Sequence, residues 1–268
     1  YKIEPVWIDS QSDPEKASRA LEDAIIREGI EAGAINWHSS VSVACMDVVA
    51  KYKVPWFCPY GATEVVNEKW HSDPEKYKYW TSKGWPIPAK LAVGYVEAIE
   101  DAIRGEIWKP ANKKFAVIVE DTDWGRSWGK AIAEDLKERG WEQASFDVFS
   151  LSPPETEFYP VLSKYKAADV RLVAITSTGP QSYAALVKQI REVALKALVI
   201  TDGLGWIGEW YELVGDASDY CLDEIPVWTS KSKPFRDRFV EKYGFEPSPS
   251  AGGQAYDIMH FFIKVLQR

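Results

Sequence analysis

Apolar and polar residues follow two different periods along the chain. Short and nearly continuous apolar runs such as Phe115–Val119 are typical of strands that are buried on both faces of a parallel sheet. Between such runs, apolar residues recur every three or four positions, as in 127–139 and 180–193, which predicts amphipathic helices. Strands that alternate with helices of about 10–15 residues predict an α/β fold built on parallel sheets.

The first helix carries signals at both of its ends. Asp13 precedes Pro14, and this order is typical of an N-cap followed by the first helical residue. An apolar face then continues until Gly29, a residue that commonly ends a helix. We therefore expect a helix between Pro14 and Gly29, preceded by a short strand at Pro5–Ile8.

The remaining predicted elements continue the alternation. We expect further strands at 32–37, 54–58, 145–149, 171–176, 197–201 and near Val227, and further helices at 41–52, 88–104, 156–166, 206–213, 233–243 and 250–266.

Two stretches of unusual composition divide the chain. Residues 67–88 are rich in Trp, Tyr, Lys and Pro and carry no predicted strand, and Pro226 and Pro234 bracket the second stretch. We interpret both as crossovers between two doubly wound parallel-sheet lobes joined by a hinge. Lobe 1 would comprise residues 1–84 and 228–268, and lobe 2 residues 85–227. A cleft between two such lobes is a usual place for a ligand.

Composition excludes several classes of function. The 268 residues include 32 Lys and Arg against 40 Asp and Glu, and the resulting net charge of −8 argues against binding to nucleic acid or to an anionic membrane. The three cysteines and three histidines lack metal-site spacing, so we predict no metal or cofactor. The 13 tryptophans are unusual, because Trp is costly to place unless its ring is buried or used in binding.

Candidate binding groups follow the first predicted strands. Ligands of doubly wound sheets bind beyond the carboxyl ends of the strands. Ser39 and Ser40 open the helix after strand 32–37, where a hydroxyl and free backbone N–H groups suit a carboxylate. Simple capping of the helix by a serine is the alternative. The loop Gly61-Ala62-Thr63 after strand 54–58 could place backbone groups and a hydroxyl against the same ligand.

Further candidates follow three later strands. Trp124 lies in the acidic loop after strand 115–119, where it could form an aromatic wall, and Thr178 opens a helix after strand 171–176. Asp202 follows strand 197–201, and a carboxylate in a partly buried loop is a natural partner for an ammonium group.

One enzyme signature is present. Gly125-Arg126-Ser127-Trp128-Gly129 matches the G-x-S-x-G nucleophile elbow, and Asp202 and His260 follow in the order of a hydrolase triad. Ser127 is, however, well separated from the preceding strand, no HGGG-type oxyanion loop is present, and His260 falls inside a predicted helix. An α/β hydrolase with Ser127 as its nucleophile is the alternative function. No phosphate-binding glycine motif occurs in the sequence.

In their order and spacing these stretches resemble the type I periplasmic binding proteins, in particular the branched-chain amino-acid (Leu/Ile/Val-type) solute-binding proteins of ABC importers. The resemblance covers 9–29, the Ser39-Ser40 helix entry, 54–63, 115–129 and 172–205. It implies two lobes that close around an amino acid. Matched by position, Ser40 and Thr63 would hold the α-carboxylate, with the Gly61 carbonyl and the Thr63 hydroxyl near the ammonium group.

The resemblance also assigns the second half of the site. Trp124 falls where the family places an aromatic residue that closes over the ligand, and Thr178 falls on another aromatic position, so that this contact is changed here. The acid that binds the ammonium group falls at Asp202 or Gly203, and we choose Asp202 because it carries a carboxylate. Trp37 and Trp206, near the predicted cleft, favour an aromatic or larger amide-like ligand.

The family also implies a setting for the protein. We expect a periplasmic or lipid-anchored extracellular monomer that is not an enzyme and that delivers its solute to the membrane subunits of an ABC transporter. A sensory domain of the same fold would carry the same residues. The family's first strand and helix should precede Tyr1 and a closing segment should follow Arg268, so that an export signal would not be visible in this chain.

Overall fold

The computed structural model describes residues 3–34, 36–61, 63–82, 84–206, 210–224 and 227–267. The helices in these ranges are α1 (Pro14–Glu28), α2 (Ser39–Tyr52), α3 (Glu64–Ser72), α4 (Pro74–Tyr77), α5 (Pro88–Arg104), α6 (Asp123–Glu138), α7 (Tyr159–Ala167), α8 (Pro180–Glu192), α9 (Trp210–Val214), α10 (Lys233–Tyr243) and α11 (Ala251–Leu266). The strands are β1 (Gly33–Ala34), β2 (Trp56–Cys58), β3 (Trp80–Ser82), β4 (Lys114–Glu120), β5 (Glu142–Phe149), β6 (Leu172–Thr176), β7 (Leu198–Asp202) and β8 (Cys221–Leu222). Short 3₁₀ helices lie at Leu204–Trp206 and Gly215–Ser218.

The chain divides into two compact units. Unit 1 comprises Tyr1–Ile87 and Gln254–Arg268, and unit 2 comprises Pro88–Gly253. This division differs from the predicted lobes mainly in the placement of residues 228–253, and the lobe boundaries stay a prediction.

The first helix of unit 1 forms as the sequence predicts. The Asp13 carboxylate accepts hydrogen bonds of 2.9 Å from the backbone N–H groups of Glu15 and Lys16, and this caps α1. Gly29 ends the helix at φ 64°, a left-handed conformation that glycine adopts without strain. The predicted strand at Pro5–Ile8 is wrong: no strand forms there, because this segment does not pack into a sheet, and Trp7 is 90% exposed.

Unit 1 contains a parallel sheet in the order β1-β2-β3. Gly33 lies opposite Trp56, and Trp56 lies opposite Trp80. The expectation that residues 67–88 carry no strand is wrong, since β3 lies inside this stretch and its Trp80 is buried. A strand of three residues is too short to show an alternation of apolar and polar positions, so the sequence pattern gave no sign of it.

Unit 2 contains a five-stranded parallel sheet in the order β5-β4-β6-β7-β8. All five residues of β6 are buried, as expected for an inner strand with helices on both faces. The α/β prediction is therefore confirmed. The predicted strand near Val227 is wrong: Val227 is 78% exposed, and the last strand of the sheet is β8, whose two residues show no period.

The strand order of unit 2 creates a switch point between β4 and β6. Residues of β4 point alternately to two layers. Ala116 and Ile118 pack in the same core as Leu162 of α7 and Leu186 of α8, and Val117 lies against Gly129 of α6. From β4 the chain first moves outward to β5 and then returns to β6 on the other side. Doubly wound sheets bind their ligands at the carboxyl ends of the strands that flank such a point.

Candidate functional site

In unit 1, two serines begin helix α2 directly after β1. Ser39 and Ser40 are the first two helical residues, and the N-cap position belongs to His38, whose side chain makes no capping hydrogen bond. Ser39 is 2% exposed and Ser40 is partly buried. Backbone N–H groups in the first turn of a helix have no partner within the helix. This end of α2 is therefore suited to an anionic group.

The loop after β2 lies against the same turn of α2. A Cβ atom added to Gly61 would lie 1.9 Å from Ser42 Oγ, so only glycine allows this approach. Thr63 follows as the N-cap of α3 and is completely buried, but its Oγ1 neither caps the helix nor has a hydrogen-bond partner among the described residues. Ala62, predicted to belong to the site, lies outside the described residues.

A small network that the sequence analysis missed holds these two loops together. Asn36 donates a hydrogen bond of 3.1 Å to Ser42 Oγ, and Ser42 in turn donates to the His38 carbonyl at 3.1 Å. The thiol of Cys58 lies 3.5 Å from both Ser42 Oγ and the Asn36 carbonyl. Burial raises the pKa of the Cys58 thiol, so this group stays neutral and acts in packing.

Trp37, expected near the ligand, follows β1 and contacts Tyr60 of the loop after β2. The two ring centroids are 4.7 Å apart at an angle of 47°. Burial raises the pKa of the Tyr60 hydroxyl. The aromatic pair therefore lies on the same pair of loops as the serines and Thr63.

In unit 2, the two predicted residues Trp124 and Asp202 are connected by hydrogen bonds at the carboxyl ends of β6 and β7. Trp124 lies in the first turn of α6, is 8% exposed, and donates from Nε1 to Thr176 Oγ1 at 3.1 Å. Thr176, the last residue of β6, donates to Asp202 Oδ2 at 2.8 Å. Trp124 and Asp202 are thus connected through a threonine that the sequence analysis did not select.

Thr178 is held by a buried carboxylate across the switch point. Its backbone N and its Oγ1 donate to Glu120 Oε2 at 2.5 and 2.8 Å. The other carboxylate oxygen of Glu120 accepts from Thr122 Oγ1 at 2.8 Å, and Thr122 caps α6 through the N–H of Gly125. Glu120 is completely buried and ties the loop after β4 to the loop after β6. The sequence showed this carboxylate but not the role it has.

Asp202, the predicted partner of an ammonium group, is completely buried at the end of β7. Its Oδ1 lies 3.2 Å from the Tyr95 hydroxyl, a hydrogen-bonding contact in addition to that with Thr176. Burial, reinforced by the nearby Asp223, raises the pKa of the Asp202 carboxyl well above its usual range. Burial likewise raises the pKa of Asp223 to about 6. The ligand role of Asp202 stays a prediction.

The geometry around Ser127 does not form a nucleophile elbow. Ser127 lies within α6, which begins at Asp123, whereas an elbow serine occupies a sharp turn directly after its strand. Packing accounts for both glycines of the motif. A Cβ atom at Gly125 would lie 2.1 Å from the Glu120 carbonyl, and one at Gly129 would lie 2.9 Å from the Phe146 ring. The hydrolase alternative therefore has no support in the structure.

In the part of the chain that the structure describes, no group of three or more His, Cys, Asp or Glu side chains is arranged to hold a metal ion. None of the helices in it combines the length and the apolar character required to cross a membrane.

Comparison with known families agrees with this architecture. The sequence profile described as "Periplasmic binding protein" matches residues 1–268, and the chain belongs to this family. The resemblance inferred from the sequence is thereby confirmed. A search of curated protein sequences found no significant match.

Solved structures show the same fold. The leucine-binding protein LivK from Thermotoga maritima has a TM-score of 0.80 at 18% identity, covering 99% of this chain and 72% of that one. LivJ from Streptococcus pneumoniae in complex with isoleucine has a TM-score of 0.77 at 18% identity, covering 96% and 70%. A solute-binding protein from Rhodopseudomonas palustris in complex with 3,4-dihydroxybenzoic acid has a TM-score of 0.73 at 18% identity, covering 99% and 69%. The chain spans 65% of a further neighbour, from Silicibacter pomeroyi.

Proposed function

We propose that this protein is an extracytoplasmic solute-binding component of an ABC importer, and that it binds an amino acid or a related amide or aromatic carboxylate without transforming it. The observation that carries this proposal is the completely buried Thr63 hydroxyl at the N-cap of α3, which has no hydrogen-bond partner among the described residues and is available to a solute. In this function the protein acts as a monomer in the periplasm or on a lipid anchor, and it delivers its solute to the transporter's membrane subunits.

The carboxylate of the solute would bind in unit 1. The first turn of α2 supplies the hydroxyls and backbone N–H groups of Ser39 and Ser40, and Gly61 lies against the same turn. Ala62 and Thr63 complete the proposed set of binding residues in this unit. The positive end of the helix dipole favours an anion there. Two of the structural neighbours were solved with carboxylate ligands, isoleucine and 3,4-dihydroxybenzoic acid, and this supports a carboxylate as the shared recognition element.

Unit 2 carries a second group of residues that we propose for solute recognition. Trp124 supplies an aromatic surface and Thr178 a polar one at the switch point between β4 and β6. In the proposed site, Asp202 supports Trp124 through the Thr176 hydroxyl. The polar residue at 178 and the tryptophans at 124, 37 and 206 favour a solute larger or more aromatic than leucine.

Solute binding can be tested by thermal shift and by tryptophan fluorescence with a panel of amino acids and aromatic acids. We expect at least one carboxylate solute to raise the melting temperature and to change the emission. In Thr63→Val the affinity for that solute should fall about tenfold or more, because a hydrogen bond to a charged group is worth about 1.5–3 kcal/mol. Thr81→Val is the matched control, since Thr81 is exposed on β3 of the same unit.

Two results would contradict the proposal. The first is a panel in which no carboxylate solute changes either signal. The second is a bound solute whose affinity is equally affected by Thr63→Val and Thr81→Val. Hydrolysis of a p-nitrophenyl ester that disappears in Ser127→Ala would instead establish the hydrolase.

A further inference from the structure

The hydroxyl of Tyr95 makes three polar contacts inside unit 2. It lies 3.2 Å from Asp202 Oδ1 and 3.1 Å from Asp223 Oδ1, and the backbone N–H of Glu224 donates to it at 3.1 Å. A phenolic hydroxyl has a single hydrogen to donate. If both carboxyls were ionised, Tyr95 could donate its hydrogen to one of them. The other carboxylate would then face the Tyr95 oxygen with no hydrogen between them. Each of the three contacts has a hydrogen of its own only when one carboxyl is protonated and donates that hydrogen to the Tyr95 oxygen.

The surroundings of the pair disfavour two negative charges. Asp202 is completely buried and Asp223 is partly buried. In the described ranges, no Lys, Arg or His side chain forms an ion pair or a hydrogen bond with either carboxyl. Four titratable groups interact with the pair: Tyr95 from α5, Tyr183 from α8, Cys221 from β8 and Glu224 after β8. Glu120, at the end of β4, interacts electrostatically with Tyr183. Buried carboxylates without a cation are costly to ionise.

The hydrogen-bond donors differ between the two carboxyls and indicate which one is the acid. Asp223 Oδ2 accepts from the backbone N–H of Gly205 at 2.7 Å, and the N–H groups of Gly203 and Glu224 also support this carboxylate. Among the described residues, the Asp202 carboxyl is hydrogen-bonded to two hydroxyl groups, those of Thr176 and Tyr95, and the Tyr95 oxygen can accept a hydrogen from a protonated Asp202. Backbone N–H donors stabilise the ionised form, so Asp223 is the better anion.

We propose that Asp202 and Asp223 share one proton through Tyr95, with Asp202 as the acid, and that this protonated pair positions Trp124 and Trp206. Trp124 is connected to Asp202 through Thr176. Trp206 follows Gly205, which is bound by Asp223, and its Nε1 donates to the Glu224 carbonyl at 2.9 Å. Both carboxyls are thus positioning residues, connected by hydrogen bonds to the two tryptophans.

Loss of the shared proton should lower the free energy of unfolding. Burial raises the pKa of both carboxyls in the folded protein, and the pair titrates as one unit whose ionisation extends to about pH 6 and above. The folded state then binds more protons than the unfolded state above about pH 4, so the free energy of unfolding falls as pH rises through this window. Solute affinity should fall in the same direction, a consequence that rests on the proposed function.

The proton can be detected in the wild-type protein without a solute. Carbon-13 NMR of Asp-labelled protein should show a carboxyl resonance that titrates at about pH 6 or above. Between pH 5 and pH 8, the equilibrium constant for folding should fall by up to tenfold per pH unit relative to Asp202→Asn, whose amide reproduces the neutral acid. The tryptophan emission should change over the same range in the wild type and not in this variant.

Asp219→Asn is the matched control, because it removes an exposed aspartate of the same unit and should retain the wild-type pH profile. If Asp202→Asn does not fold, Tyr95→Phe takes its place, because it removes the hydroxyl that lies between the two carboxyls. The protonation state is then decided by the NMR titration of the wild-type protein, which needs no variant. Carboxyl resonances that all titrate below pH 5 would overturn the shared proton. A shared proton in a protein that binds no solute would leave this inference standing and contradict the proposed function.

Discussion

The carboxyl edge of the sheet in unit 1 presents hydroxyl and backbone N–H groups, whereas that of unit 2 is organised around buried carboxyls. In unit 1 the Thr63 hydroxyl is buried without a partner among the described residues. In unit 2 the Thr176 hydroxyl is buried with three partners, Trp124 Nε1 and two oxygens of Asp202. The two buried threonines, one in the loop after β2 and one at the end of β6, therefore differ in their hydrogen bonding.

This difference indicates a division of labour within the proposed function. Buried polar groups without a partner are costly, and a solute that completes the hydrogen bond removes this cost. A satisfied network instead fixes the loops that carry a binding surface. We infer that unit 1 supplies direct contacts to the solute's carboxylate, and that most polar groups of unit 2 hold Trp124 and Thr178 in position.

The largest expected effect of a substitution is in the supporting structure of unit 2. In Gly125→Ala the new Cβ would lie 2.1 Å from the backbone carbonyl of Glu120, so that the strand end or the helix must move. We expect the free energy of unfolding to fall by about 3 kcal/mol, which is the upper end of the usual range for overpacked sites. Gly253→Ala is the control, because its nearest neighbour is 3.5 Å away and alanine favours a helix. Urea unfolding of both variants measures the difference, and equal stabilities would contradict this account.

A smaller loss is expected from the satisfied threonine. Thr176→Val leaves Trp124 Nε1 and Asp202 Oδ2 without this partner, which should cost about 2 kcal/mol. Thr201→Val, one strand away and equally buried, is the matched control, since the one hydrogen-bonding contact of its Oγ1 among the described residues is 3.5 Å long, to the Leu222 carbonyl. Should Thr201→Val lose as much stability as Thr176→Val, the network would not be what holds these strand ends.

The sequence predicted those parts of the fold that depend on local patterns. Helix α5 occupies its predicted range, and the cap at Asp13 and the end at Gly29 lie where expected, because each depends on residues within one helical turn. Strands β3 and β8 were missed, because two or three residues cannot display a period.

The candidate site was predictable only in part. The order of the predicted strands and helices identified the loops that follow the strands. The candidate residues in these loops include Ser39, Thr63, Trp124 and Asp202. The partners of Asp202 were missed because Tyr95 lies 107 residues away from it in the chain, on a helix face that resembles ordinary core. Such pairs are formed by strand order and helix packing, which a single sequence does not reveal.

The smallest expected effect on stability is at Thr63, and this makes it the sharpest test of the comparison. Thr63→Val removes a hydroxyl that has no partner among the described residues and makes no capping bond, while it keeps the shape of the side chain. The free energy of unfolding should therefore change by less than about 0.5 kcal/mol or rise slightly, because a buried polar group is replaced by an apolar one. The same variant should lose solute affinity, whereas Thr176→Val should lose stability first. If Thr63→Val costs as much stability as Thr176→Val, the hydroxyl has a structural partner, and the division between a contacting edge and a supporting edge is wrong.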